Sequence, residues 1–165
     1  MDGFIREVRP DDAPAIAHIY NRYVLETTVS FEFEPLSVEE MRRRIEDIAS
    51  THPYFVYESD GNVCGYCCAH QWRERKGYRH TMETTLYVAD GYHHKGIGSL
   101  LLARLVEVCR AKGYRALIAC ITGENETSIA IHAKFGFKQV SLFRQVGRKF
   151  GRWLDVVDME LLLQE

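Results

Sequence analysis

The chain has 165 residues, the length of one ordinary domain, which buries roughly 70% of the surface its unfolded form exposes. Its content of 46% hydrophobic and 27% charged residues is that of a soluble globular protein, and no apolar run approaches the roughly 18 residues a bilayer span requires. A formal net charge of -2, with acids and bases interleaved, excludes long-range attraction to nucleic acid or anionic lipid and leaves a local basic pocket open.

The N-terminus, "MDGFIREVRP", lacks the basic-then-apolar pattern of a secretion signal, so the expected compartment is the cytoplasm. "FIREVRP" alternates apolar and polar positions up to Pro10 and predicts a first strand. Asp11 and Asp12 are expected to cap a helix whose Ile16, Ile19, Tyr20 and Tyr23 share one face. A looser stretch, Glu26 to Pro35, precedes a second helix, "VEEMRRRIEDIAS", opened by a Ser37-x-x-Glu40 capping box. The basic run Arg42 to Arg44 has acids three or four positions away and reads as a solvated, ion-paired face. "YFVYES" and "VCGYCCAH" predict two strands joined at Asp60-Gly61, a pair suited to the positive backbone angles of a tight hairpin.

The five cysteines, Cys64, Cys67, Cys68, Cys109 and Cys120, are odd in number and sit in apolar segments, so reduced thiols are expected. Cys64-x-x-Cys67 has no second pair to complete a zinc site and opens no helix, so it reads as filler in a buried strand; no metal is expected. After the polar loop "QWRERKGYRH", the segment "HTMETTLYVAD" is β-rich. A helix then runs from about Ile97 to Lys112 with Gly113 at C′. "YRALIACI" is a buried strand, "NETSIAIHAKF" a short helix stopped by Gly136, and "FKQVSLF" and "WLDVVDMELLL" two closing strands. The order β-α-α-β-β-β-α-β-α-β-β predicts a mixed sheet covered by helices, one α/β domain over residues 1–165.

The stretch "YHHKGIG", residues 92 to 98, fails two phosphate motifs. The dinucleotide fingerprint needs a glycine where Leu101 stands, and the P-loop needs Lys after a glycine, whereas Lys95 precedes both. What remains is a glycine-rich helix start whose first amides lack partners within the helix, an arrangement that favours an anion. Glycine in that position is equally an ordinary turn.

The wider pattern is more specific. His93-His94-Lys95-Gly96-Ile97-Gly98, followed by Asn125-Glu126-Thr127-Ser128-Ile129-Ala130-Ile131-His132-Ala133-Lys134-Phe135-Gly136-Phe137, resembles the Gcn5-related N-acetyltransferase family. That family carries Q/R-x-x-G-x-G/A at its pyrophosphate loop and N-x-x-A-x-x-x-Y-x-x-x-G-F further on. Three positions depart: His93 stands for Gln or Arg, Ser128 for Ala, and His132 for the tyrosine credited with protonating the leaving thiolate. "IAHIYNRYVLETTVSFE", "GYRHTMETTLYV" and "QVGRKFGRWLDVVDMELLL" extend the resemblance to the phosphinothricin and methionine sulfoximine acetyltransferase branch.

That resemblance implies a mixed, mostly antiparallel central sheet flanked by helices, acetyl-CoA as co-substrate, and a homodimer acting on the α-amino group of a small amino-acid-like molecule. It implies Glu83 as general base, since an α-amino group must lose a proton before it can attack. A main-chain amide at Val88, or its neighbours Leu86 and Tyr87, is expected to meet the oxyanion and the pantetheine arm. The implied pyrophosphate seat is His93, His94, Lys95, Gly96, Ile97, Gly98 and Ser99, with Asn125 bonding the cofactor, capping its helix, or both. His132 is either a proton donor to sulfur or a packed core imidazole. For the acceptor, Arg73, Glu74, Arg75, Lys76, Tyr78, Arg79, Glu83, Thr84 and Thr85 form the candidate segment, because arginine forks suit carboxylates and anionic heads. Phe150 and Trp153 are candidates for a pocket wall, a dimer seam or plain core. Acceptors such as a protein N-terminus, polyamine or aminoglycoside, and a non-enzymatic acyl-CoA-binding module, are the rival readings.

Overall fold

The computed structural model describes residues 2–164, leaving Met1 and Glu165 outside the described residues. In chain order the elements are β1 (Gly3–Glu7), α1 (Ala13–Glu26), α2 (Val38–Ala49), β2 (Tyr54–Ser59), β3 (Asn62–Gln71), β4 (Thr81–Val88), α3 (Ile97–Ala111), β5 (Ala116–Thr122), α4 (Glu126–Lys134), β6 (Lys138–Lys149) and β7 (Arg152–Leu162). The strands form a single seven-stranded sheet in the order β1-β2-β3-β4-β5-β7-β6. Every neighbouring pair is antiparallel except β4 and β5, as a mostly antiparallel mixed sheet requires.

Local chemistry sets the boundaries. Asp60 and Gly61 take φ of 51° and 76°, and the ladder pairs Ser59 with Asn62 across them, which is the expected two-residue hairpin. Ser37 accepts the Glu40 amide at the start of α2. α3 ends as its glycine demands: Gly113, at φ 81°, donates to the Arg110 carbonyl, and Tyr114 donates to the Cys109 carbonyl. This is the paired 5→2 and 6→1 closure of a left-handed helix end.

Two expectations change. Asp12 does not cap α1: its carboxylate takes two hydrogen bonds from the Arg6 guanidinium at 2.9 Å and one from the Arg9 amide at 2.7 Å. The ion pair with β1 outcompetes the cap, and a short 3-10 turn, Pro10–Asp12, leads into the helix instead. β6 continues to Lys149, past the expected stop at Phe143, and pairs with β7 as a long hairpin turning at Phe150 and Gly151. "RQVGRK" lacks apolar alternation, so its strand character comes from pairing with β7 across a bulge between Phe143 and Gly147.

The sheet buries both faces. Met82, Leu101, Leu102, Leu105, Leu117 and Phe137 pack on the face covered by α3, and Ile16, Ile45, Val56 and Tyr66 on the face covered by α1 and α2. Cys64 and Cys67 are fully buried in the first of these cores, and burial pushes the Cys67 thiol well up; all five cysteines are free. Cys64-x-x-Cys67 is therefore packing material. Among the described residues no helix is long and apolar enough to cross a membrane, and no group of three metal-ligating side chains occurs.

Candidate active site

The parallel seam between β4 and β5 holds for three residues only, ending at Glu83 opposite Ile118. Beyond it the strands part, and the gap becomes a cavity of about 310 Å³ lined by Glu83 to Tyr87 on one side and Ala119 to Thr122 on the other. β3 takes one alternate set of β4 main-chain groups, since Trp72 donates to the Thr81 carbonyl and Cys64 accepts from the Ala89 amide. By alternation, Thr84, Leu86 and Val88 turn their main-chain groups to the β5 side, whereas those of Tyr87 join the β3 ladder. Among the three residues expected to offer an amide, Leu86 and Val88 therefore have the geometry. Tyr87 contributes its ring, packed 4.9 Å from Tyr23 and 5.4 Å from Tyr20.

A second cleft of about 520 Å³ runs on from the first, sharing Val29, Leu86, Tyr87, Asn125 and Ser128 with it. Its far end is the start of α3, where His93, His94, Gly96, Ile97, Gly98 and Ser99 line it. His94 and Gly96 both take left-handed angles, φ 60° and 81°, so the loop curls and leaves its amides facing one way. The first amide of α3 with a helical acceptor is that of Leu100, bonded to Gly96, so those of Ile97, Gly98 and Ser99 are free to meet an anion. Gly98 is needed for another reason: a Cβ there would lie 3.1 Å from Ile131 Cδ1, so its bareness lets α4 close on α3. Lys95 does not line the cleft, and its ammonium sits 5.0 Å from the Tyr92 ring.

Asn125 caps α4 by accepting the Ser128 amide at 3.2 Å, and it lines both cavities, so the two expected tasks are compatible. His132, 3% exposed, also lines the first cavity and stacks edge-on to Phe137. Its Nδ1 lies 2.7 Å from the Ser128 carbonyl, which can only accept, so Nδ1 carries the proton and Nε2 the lone pair. Burial lowers its pKa, against the weaker upward pull of that hydrogen bond.

Glu83 lines the cavity at the point of divergence and meets His70 across the β3–β4 ladder, Nε2 to Oε2, at 3.2 Å. Thr85 and Cys120 share the cavity wall, and burial pushes the Cys120 thiol up to about 11. The remaining wall, Val29, Ser30 and Phe31, comes from the loop after α1. Thr122 Oγ1 donates to the Thr28 carbonyl, and Lys149 Nζ donates to the carbonyls of Val24 at 2.7 Å and Ser30 at 2.6 Å. Lys149 is 1% exposed, an ammonium solvated by carbonyl dipoles in place of water. Tyr23 braces the other rim, its hydroxyl donating to the Val88 carbonyl at 2.5 Å.

The structure does not bring the basic loop to this cavity. Arg73, Glu74, Arg75, Lys76, Tyr78 and Arg79 lie beyond the N-terminal end of β4, and none lines either cavity of the single chain. Arg73 instead stacks on Trp72 at 4.0 Å. Phe150 and Trp153 are exposed, 56% and 59%, and neither walls a cavity nor joins the core. Sequence reasoning missed Val29 to Phe31, Tyr23, His70 and Lys149. None of these carried a local signal: the Lys149 ammonium comes within 5.9 Å of the Phe33 ring and 5.3 Å of the Phe150 ring only in the folded chain.

Comparison with known proteins agrees with this geometry. The family model described as acetyltransferase (GNAT) domain matches residues 5–157. A phosphinothricin N-acetyltransferase of Alcaligenes faecalis is 40% identical over 158 residues, covering 94% of this chain and 80% of that one. An L-methionine sulfoximine/L-methionine sulfone acetyltransferase of Pseudomonas aeruginosa is 36% identical over 165 residues, covering 99% and 96%. The structure of a GNAT superfamily phosphinothricin acetyltransferase from Sinorhizobium meliloti in complex with AcCoA superposes with a TM-score of 0.96 at 37% identity, covering 100% of this chain and 90% of that one. The chain belongs to the GNAT acetyltransferase family and is an acetyl-CoA-dependent N-acetyltransferase of the branch that holds the phosphinothricin and amino-acid acetyltransferases.

Proposed function

We propose that the chain acetylates the α-amino group of a small amino-acid analogue, methionine sulfoximine or phosphinothricin, by direct transfer with Glu83 as general base. The observation that carries this reading is the continuity of the two cavities. A carboxylate stands at the closed end of one and a row of free amides at the far end of the other, with the Leu86–Val88 edge between. Acetyl-CoA supplies the activated acyl carbon when bound. The Ile97, Gly98 and Ser99 amides would hold its pyrophosphate, and the Leu86 and Val88 main chain would align its arm. Asn125 would add a hydrogen bond midway.

The acceptor cavity, at about 310 Å³, suits an amino acid better than a peptide. Glu83 reaches the ammonium directly or through one water, removes a proton and frees the lone pair. A Leu86 or Val88 amide is aimed at the oxygen that gains negative charge. His132, neutral, accepts a hydrogen bond instead of donating a proton to sulfur. Support for a homodimer comes from β6, an edge strand whose Val140, Leu142, Phe143 and Val146 are all exposed, beside Phe150 and Trp153. Thiol release from acetyl-CoA, measured across amino acids, phosphinothricin, methionine sulfoximine and polyamines for wild type and Glu83→Gln, tests the reading.

A further inference from the structure

Glu83 faces an imidazole that no motif marks. His70 is its direct cross-strand partner, and Nε2 lies 3.2 Å from Glu83 Oε2. The other ring nitrogen, Nδ1, lies 3.2 Å from the Gln71 carbonyl. Both contacts are to acceptors, so the ring fully satisfies them only with a proton on each nitrogen. The side chains of both partners are about one-third exposed, 33% and 32%, yet only Glu83 lines the acceptor cavity. Glu83 thus has a substrate side and a solvent side, with the imidazole on the latter.

We propose that His70 acts through Glu83, taking over the proton that Glu83 removes from the acceptor amine and passing it to solvent. This rests on the reading of Glu83 as the base. In the working state Glu83 is a carboxylate and His70 is neutral, with Nδ1–H donating to the Gln71 carbonyl and the Nε2 lone pair facing Oε2. The acceptor ammonium loses one proton to Glu83, directly or through water. That proton crosses from Oε2 to Nε2, giving a carboxylate beside an imidazolium, and the nitrogen lone pair left on the acceptor attacks the acetyl carbon. Water then takes one ring proton and the working state returns. No proton has to leave through the cavity that acetyl-CoA and acceptor fill.

The surroundings fit this task. Glu83 on β4 raises the pKa of His70 by hydrogen bond and charge, with burial pulling the other way. His52, just before β2, also feels the charge of His70: its own pKa is lowered by burial, by His70 and by Lys112 at the end of α3. On the far side Glu83 acts on Cys120 of β5, helping desolvation and Asp158 to raise its thiol pKa. An imidazole whose pKa a neighbouring carboxylate raises is a better proton acceptor than a free one, which suits it to take the proton from Glu83.

The test compares thiol release by wild type and His70→Gln, a neutral side chain of similar reach, with one acceptor throughout. The acceptor's own ionisation cancels in the ratio of the two kcat/KM values. Between about pH 5.5 and 8.5 that ratio is expected to climb about 10-fold, because the imidazolium pins Glu83 in acid whereas the neutral ring relays for it in base. A ratio that stays flat, whatever its size, overturns the relay and leaves His70 as a prop. Proton NMR of the His70 ring gives a readout without turnover: its titration midpoint is expected to fall in Glu83→Gln, and an unmoved midpoint overturns the pair. Full activity in Glu83→Gln removes the base reading and the relay with it, whereas an inactive Glu83→Gln with a flat His70 ratio removes the relay alone.

Discussion

His70 touches a cavity residue and His132 is one, yet their surroundings shift their pKa values in opposite directions. A carboxylate raises the pKa of the first, and burial lowers that of the second. The signs follow by linkage from an ordinary imidazole value of about 6.5. His132, lowered, binds fewer protons folded than unfolded, so its share of stability is whole above about pH 6.5 and is lost as pH falls through that value towards its folded one. His70, raised, behaves inversely: its share is whole below about pH 6.5 and fades as pH climbs through its folded value. Thermal melts at about pH 7.5 and 5 should therefore show wild type losing more stability on acidification than His132→Phe does. Equal losses would mean that the buried ring does not titrate as its surroundings dictate. The same variant should keep the basic limb of the wild-type rate profile, since a ring whose only proton is bonded to the Ser128 carbonyl donates none.

Elements bring together what the residue pattern leaves scattered. The tip of the β6–β7 hairpin inserts Lys149 between the end of α1 and the loop that walls the acceptor cavity. Lys149→Met would leave the Val24 and Ser30 carbonyls buried without donors, a cost of about 1–3 kcal/mol for each unsatisfied group. Because Ser30 and Phe31 line only the acceptor cavity and Val29 alone of this wall reaches the cofactor cleft, the variant should raise KM for the acceptor several-fold and KM for acetyl-CoA by less. An equal rise in both constants would show general loosening instead. Local signals did mark most elements: the Asp60-Gly61 turn, the Ser37 cap, the Gly113 stop and the glycine-led start of α3 each rest on a few neighbouring residues. What stayed hidden depends on pairing across the chain. Asp12 was taken from its cap by Arg6, the last turn of β6 follows β7, and the loop after α1 becomes a wall only because Lys149 and Thr122 hold it. Glu83 and Asn125 became candidates through the family resemblance, whereas His70 became one only through the β3–β4 register.

For the whole molecule, the sheet ends at an edge strand that displays Val140, Leu142, Phe143 and Val146, a row of side chains that a lone domain normally avoids exposing. Sedimentation should find a dimer, and Val146→Asp combined with Phe143→Asp should shift it to monomer while circular dichroism stays unchanged; an unaltered dimer would put the seam elsewhere. The basic loop of Arg73 and Arg75 lies outside the cavities of one chain. In the proposed reaction the Glu83 carboxylate, at the parting of β4 and β5, drives acetyl transfer to a small α-amino acid. Thiol release from acetyl-CoA with methionine sulfoximine or phosphinothricin measures it directly. Wild type is predicted to turn over these acceptors in preference to polyamines, and Glu83→Gln to lose about 10²- to 10⁴-fold in kcat/KM with acetyl-CoA binding intact. Turnover of Glu83→Gln at the wild-type rate, or wild-type release with polyamines alone, would contradict it.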